Sequence, residues 1–166
     1  MSTIPPRRVF TFVWALYIKV FDAELEVDEE GRVGSNGRGL AVVPTIDHDG
    51  IVIYTGEYFG PVLLEFRDQR PKRSEWKEHV HLNLDVNEPL VVLEEASSDV
   101  PELAFNGEPV FTPTIPGPHR IDVYARGRHQ REEDQTEPVE HYLVVITPLG
   151  GAVPSGRPFS TVRGWV

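Results

Sequence analysis

The stretch E-H-V-H-L-N-L-D-V, residues 78–86, alternates without interruption. Successive side chains of an extended chain point to opposite sides, so Val80, Leu82, Leu84 and Val86 share one face and His79, His81, Asn83 and Asp85 the other. A strand of this kind buries one face in a core and keeps the other wet. The same reading extends outward in both directions. In V-L-L-E-F-R, Val62, Leu64 and Phe66 oppose Leu63, Glu65 and Arg67. In R-I-D-V-Y-A-R, Ile121, Val123 and Ala125 form the inner face against Arg120, Asp122, Tyr124 and Arg126.

Further strands are predicted at 8–22, with a bend or bulge because that run exceeds the usual strand length, and at 40–44, 51–55, 89–94 and 141–147. Fifteen prolines and fourteen glycines separate short runs rich in β-branched and aromatic residues, the pattern of a sandwich or barrel. The chain is therefore predicted to be all-β: one antiparallel β-sandwich domain of about eight or nine mostly antiparallel strands over residues 1–148. Residues 149–166 form a C-terminal extension, docked or flexible.

A chain of 166 residues removes roughly 70% of its unfolded surface from water on folding and needs no covalent staple. It contains no cysteine, which excludes disulfides, thiolate nucleophiles and thiolate metal sites. The apolar run 9–21 follows two arginines but ends in F-D-A-E rather than a small-residue cleavage site, and it is too short to cross a bilayer. A cytoplasmic, membrane-free protein is expected. The formal charge of −10 argues against direct nucleic-acid binding, which requires clustered Lys and Arg, and steers toward basic partners.

Three constellations carry possible chemistry. His79 and His81 project from the same strand face and can reach one metal ion, with Asp85 two further positions along that face; the alternative is a solvated strand surface. The cupin pattern that an H-x-H strand evokes is absent, because Ser74 and Glu75 stand where its upstream glycine would fall. D-H-D-G, residues 47–50, reads as an acid–base cluster or, more simply, as a turn with Gly50 at positive φ. Tyr124, Arg126 and Arg128 share a face if the strand continues that far, suited to anion binding or to pairing with Glu132, Glu133 and Asp134 in the long hairpin loop that follows. No G-x-S-x-G is present, so no serine is marked as a nucleophile. No catalytic residue and no cofactor is predicted.

The order G-L-A-V, then G-I-V-I-Y-T-G-E-Y-F-G-P-V-L-L-E-F, then W-K-E-H-V-H-L-N-L-D-V and P-L-V-V-L, closing with P-G-P-H-R-I-D-V-Y-A-R-G-R and E-x-Y-L-V-V-I-T-P, resembles bacterial proteins of the competence protein J type. That family includes the inhibitor of the DNA-entry nuclease of competent cells. The resemblance spans about residues 40–148; the glycine-rich segment 31–39 and the tail after Pro148 depart from the short form of the family. It implies a non-enzymatic sandwich that binds a protein.

An acidic protein can occupy the basic groove of a nuclease or toxin by imitating phosphate charge. Three acidic segments are candidates, with Asp28, Glu29 and Glu30 in the first, Glu94 and Glu95 in the second, and Glu132, Glu133 and Asp134 in the third. Two other readings remain open. One is a metal- or small-molecule-binding sandwich built on His79, His81 and Asp85, and the other is a module that self-associates through an edge strand or its tail.

Overall fold

The computed structural model describes residues 4–8, 15–20, 26–34, 39–55, 62–95, 102–103, 107–128 and 140–149. They form two packed sheets. The five-stranded sheet contains β1 (Ile4–Arg8), β6 (Val62–Arg67), β7 (Glu78–Val86), β10 (Gly117–Arg126) and β11 (Glu140–Pro148), in the spatial order β1-β6-β11-β10-β7. The six-stranded sheet contains β2 (Ala15–Val20), β3 (Val33–Gly34), β4 (Ala41–Pro44), β5 (Gly50–Tyr54), β8 (Leu90–Glu95) and β9 (Glu102–Leu103), in the order β3-β4-β5-β2-β8-β9. The all-β sandwich is as predicted. β3 and β9 are two-residue additions at the rims.

The alternation of β7 buries Val80, Leu82, Leu84 and Val86, and β10 adds Ile121, Val123 and Ala125. From the facing sheet come Leu16, Ile18, Val42, Ile51, Ile53, Leu90 and Val92, closing one core. Its apolar contacts supply the main stabilisation, since burial contributes about 25 cal/mol per Å² of apolar surface removed from water.

Two expectations need correction, the single strand at 8–22 and the positive φ at Gly50. The predicted strand 8–22 is two strands, β1 and β2, in different sheets; residues 9–14 lie outside the described residues. The strands are mostly antiparallel, as expected, with one parallel pair: β11 runs alongside β6 with Glu140 opposite Val62 and Val144 opposite Phe66. That pair joins segments far apart in sequence, whereas alternation reports only which residues share a face. Finally, positive φ in D-H-D-G belongs to His48 (φ 55), not Gly50. The turn reading itself is correct: Thr45 N–H donates to Gly50 O and His48 N–H to Thr45 O, each at 2.9 Å. Gly50 is instead the first residue of β5, where its missing side chain allows β2 to approach; a Cβ there would lie 2.6 Å from Ile18 O.

The two ends of the sandwich differ. At one end Gly127 (φ 76) turns the chain after β10, so Arg128 leaves the strand and enters the space between the sheets. Its guanidinium donates to Tyr142 Oη and Glu78 Oε2, both at 3.2 Å, and to the carbonyls of Tyr54 and Thr55, both at 3.3 Å. At the other end, residues 109–116 cross from β8, where Leu90 bridges Phe111, to the start of β10. The C-terminal extension after Leu149 lies outside the described residues.

Candidate functional site

The densest polar array among the described residues lies on the outer face of the five-stranded sheet. The sequence reading made this face wet at Asp122 and Tyr124, but both are buried, Asp122 completely. The connection from β6 to β7 folds back over the sheet, carrying a 3-10 turn at Arg73–Glu75. It lays Trp76 on Tyr124, Leu143 and Val145 as a second small core. Lys77 N–H donates to Ala125 O and Arg126 donates to Glu75 O, each at 3.2 Å, anchoring the connection to β10.

Asp122 collects the first cluster. Register places it opposite His81, with Tyr124 opposite His79. His79 Nε2–H donates to Asp122 Oδ1 at 2.7 Å, and the His79 ring stacks on Tyr124 with centroids 4.1 Å apart. Arg120 Nε spans both carboxylate oxygens at 3.2 and 3.1 Å, its NH2 reaches Oδ1 at 3.0 Å, and Arg70 approaches Oδ2 at 3.4 Å. Burial pulls the Asp122 carboxyl upward, but the hydrogen bonds from His79 and Arg120 and the nearby guanidinium charges outweigh it, and the net shift is downward. Burial and the Arg120 charge hold His81 below its ordinary value.

The second cluster crosses β6 and β11. Arg126 NH2 donates to His141 Nδ1 at 3.0 Å, which leaves the ring proton on Nε2 to donate to Glu65 Oε1, also at 3.0 Å. Glu65 Oε2 accepts from Arg67 Nε. Trp76 meets the His141 ring edge-on at 4.8 Å and carries the Arg126 guanidinium 4.3 Å above its own ring. Burial first, and Arg126 second, push His141 below its ordinary value, and Glu65 only partly offsets them.

These histidines give stability a defined pH dependence. A histidine held low in the folded chain stays neutral while the unfolded chain takes up a proton near 6.5, so the unfolded state gains as pH falls through the window below that value. The urea midpoint is therefore expected to be lower at pH 5.5 than at pH 7.5, with a shallower dependence in His141→Gln. Equal midpoints at the two pH values would remove the histidines from the account.

Of the three residues named for a metal, the structure brings two together, His79 and His81, and joins them to Asp122 in place of Asp85. His79, His81 and Asp122 present ligand atoms all within 4.8 Å of one another. Asp85 is not among them: four residues beyond His81 is roughly 13 Å along a strand, and it sits at the level of Pro118. The third group comes from the neighbouring strand, a cross-strand partner that spacing along one segment does not reveal. Both oxygens of Asp122 already accept from arginine, so a cation entering there would have to displace a guanidinium.

The acidic candidates separate. Asp28 caps the 3-10 turn Glu29–Gly31 by accepting from Glu30 N–H at 3.1 Å, and His48 Nε2 lies 3.3 Å from it. This turn is tied to the β4–β5 end by Asp28 N–H to Pro44 O at 2.8 Å. Glu94 and Glu95 end β8 at the opposite end, where Ala15 pairs with both Glu95 and Tyr54. Glu132, Glu133 and Asp134 lie outside the described residues. Arg126 and Arg128, expected to share a face, are separated by Gly127: Arg126 lies over Trp76, and Arg128 is buried between the sheets.

Asp28–Glu30 instead gain neighbours that the sequence reading did not assign to them. Asp47 and Asp49 lie in the β4–β5 turn, Asp85 at the end of β7 and Glu88 in the β7–β8 turn. Asp85 N–H donates to His48 O at 3.2 Å, joining the two turns. Within this group the basic side chains Arg32 and His48 face Glu29 and Asp28 respectively. The resulting end of the sandwich is acidic, with Glu29, Glu30, Asp47 and Glu88 all exposed. Sequence reading found only its first segment, because turns from three places in the chain meet there.

No protein-family model matches the chain, and no match is found among curated proteins or solved structures. Among the described residues, no helix is long and apolar enough to cross a membrane.

Proposed function

We propose that this chain is a non-enzymatic binding domain that presents the acidic end of its sandwich to a basic protein, and that a nuclease or another basic toxin is the kind of partner it neutralises. The observation that carries the reading is the convergence of Asp28–Glu30, Asp47, Asp49, Asp85 and Glu88 on one end of the sandwich, in a chain of net charge −10. Clustered carboxylates on rigid turns accelerate encounter with a basic groove and disfavour acidic competitors. The resemblance to the competence protein J type supports the same class of partner.

The experiment begins with capture from native lysate and continues with affinity measured against salt. The partner is expected to be basic, and its affinity to fall about tenfold or more as ionic strength rises to the point where the Debye length is about 8 Å. Charge reversal at Glu29, Glu30, Asp47 and Glu88 is expected to abolish capture while the circular dichroism spectrum stays unchanged. Salt-insensitive binding, or capture that survives the reversal, defeats the proposal.

A second reading has one observation in its favour, the proximity of His79, His81 and Asp122. Under it the outer face of the five-stranded sheet takes a transition-metal ion through two imidazoles and a carboxylate. Zinc titration of untagged protein decides it: stoichiometric uptake that His81→Ala removes would favour the metal reading over the acidic one.

A further inference from the structure

A cleft of about 160 Å³ opens beneath the segment that crosses between the sheets. Phe66 and Ile146 form its floor from β6 and β11, Val110 and Phe111 come from the crossing segment, and His119 comes from β10. His119 is 2% exposed and lies on the inward face of its strand. Its Nδ1 is 2.8 Å from Gly117 O. A carbonyl only accepts, so Nδ1 carries the proton and Nε2 of the neutral ring is an acceptor. Among the described residues Nε2 takes no hydrogen bond, and the ring lines the cleft. A nitrogen left as an acceptor on a ring that lines the cleft can take a hydrogen bond from a donor bound there.

We propose that this cleft is a binding site for a small aromatic molecule bearing one hydrogen-bond donor, a phenol or an azole, whose donor meets His119 Nε2. The size fits: an apolar protein cavity of about 150 Å³ accepts benzene. The walls fit an aromatic body, because Phe66, Phe111 and the His119 ring favour edge-to-face contact with another ring. Phe111 already meets His119 in that manner, at 5.5 Å between centroids. The rim disfavours an anion, since Arg67 is engaged by Glu65 while Asp68 adds negative charge. The inference is independent of the protein-binding reading, which concerns the exposed turns.

Phenol is the probe, followed by amide chemical shifts of the full chain. Saturable shifts are expected at Val110, Phe111 and Ile146, with phenol binding about tenfold tighter than anisole, the difference set by one net hydrogen bond. His119→Phe, which keeps a ring but removes the acceptor, is expected to cancel that preference while still admitting anisole. The phenol-to-anisole comparison on the unmodified chain stands by itself if the variant fails to fold. Equal affinity for phenol and anisole, or shifts that avoid the cleft, overturns the proposal.

Discussion

Arg128→Ala is expected to lower the unfolding free energy by about 3–5 kcal/mol, the loss typical of removing one partner from a buried charged network. The side chain is only 4% exposed, and its donors reach both sheets: Tyr54 and Thr55 carbonyls on one, Tyr142 and Glu78 on the other. Without it, two backbone carbonyls lose a buried donor. Tyr142 Oη, which itself donates to Glu140 Oε1 at 3.1 Å, loses its incoming hydrogen bond. Burial first, and the Glu140 charge second, already push the Tyr142 hydroxyl well above its ordinary pKa, so ionisation offers no relief.

Arg128→Lys restores the charge without the planar fork and is expected to remain about 1–3 kcal/mol below the parent. Urea denaturation measures both. A loss below about 1 kcal/mol for the alanine variant would mean that water replaces the guanidinium at no net cost, contrary to the burial seen here.

Gly50→Ala is expected to destabilise by about 3 kcal/mol, in the upper part of the range for overpacking. The sign is the informative quantity, because glycine-to-alanine at an unstrained position usually stabilises by about 0.4–1 kcal/mol through the unfolded state. At this position the new methyl would meet Ile18 O and Lys19 Cβ at 2.6 Å and Lys19 Cα at 2.8 Å. Two of these belong to the β2 backbone, which cannot rotate away, and β5 is held on its other edge by β4. A gain in midpoint would show that β2 and β5 separate more readily than their register implies.

The contrast between strands and site has a physical origin. Alternation along β7 and β10 was legible because a single apolar face meets a single core, and each residue's side follows from its parity. Glu65, Asp122 and Tyr124 were misread as wet for the same reason: parity says which face a residue occupies, not what covers that face. Over Tyr124 the cover is Trp76, delivered by a charged connection whose own sequence looks solvent-loving; around Glu65 it is His141 and Arg67, and around Asp122 it is His79, Arg120 and Arg70. Asp122 could join His79 and His81 only once β10 had been placed beside β7 in the observed register, and Asp85, the obvious neighbour in sequence, lay too far along the strand. Gly127 was the local signal that Arg126 and Arg128 part company. The acidic end was partly visible in D-A-E-L-E-V-D-E-E, but its other members came from turns whose convergence is a property of topology.

The placement of β11 bears on how the chain comes to be folded during synthesis. It is the last described strand, yet it lies in the middle of its sheet, hydrogen-bonded to β10 on one side and β6 on the other. Until it emerges from the ribosome, β6 with β1 and β10 with β7 are two separate ribbons, each with an open edge toward the missing centre. Long-range parallel pairing of this kind is slow to form, and an uncovered edge recruits other strands. The nascent chain therefore passes through an interval in which its greatest hazard is pairing with a neighbouring copy, and that interval closes only when residues 140–148 slide between the two ribbons.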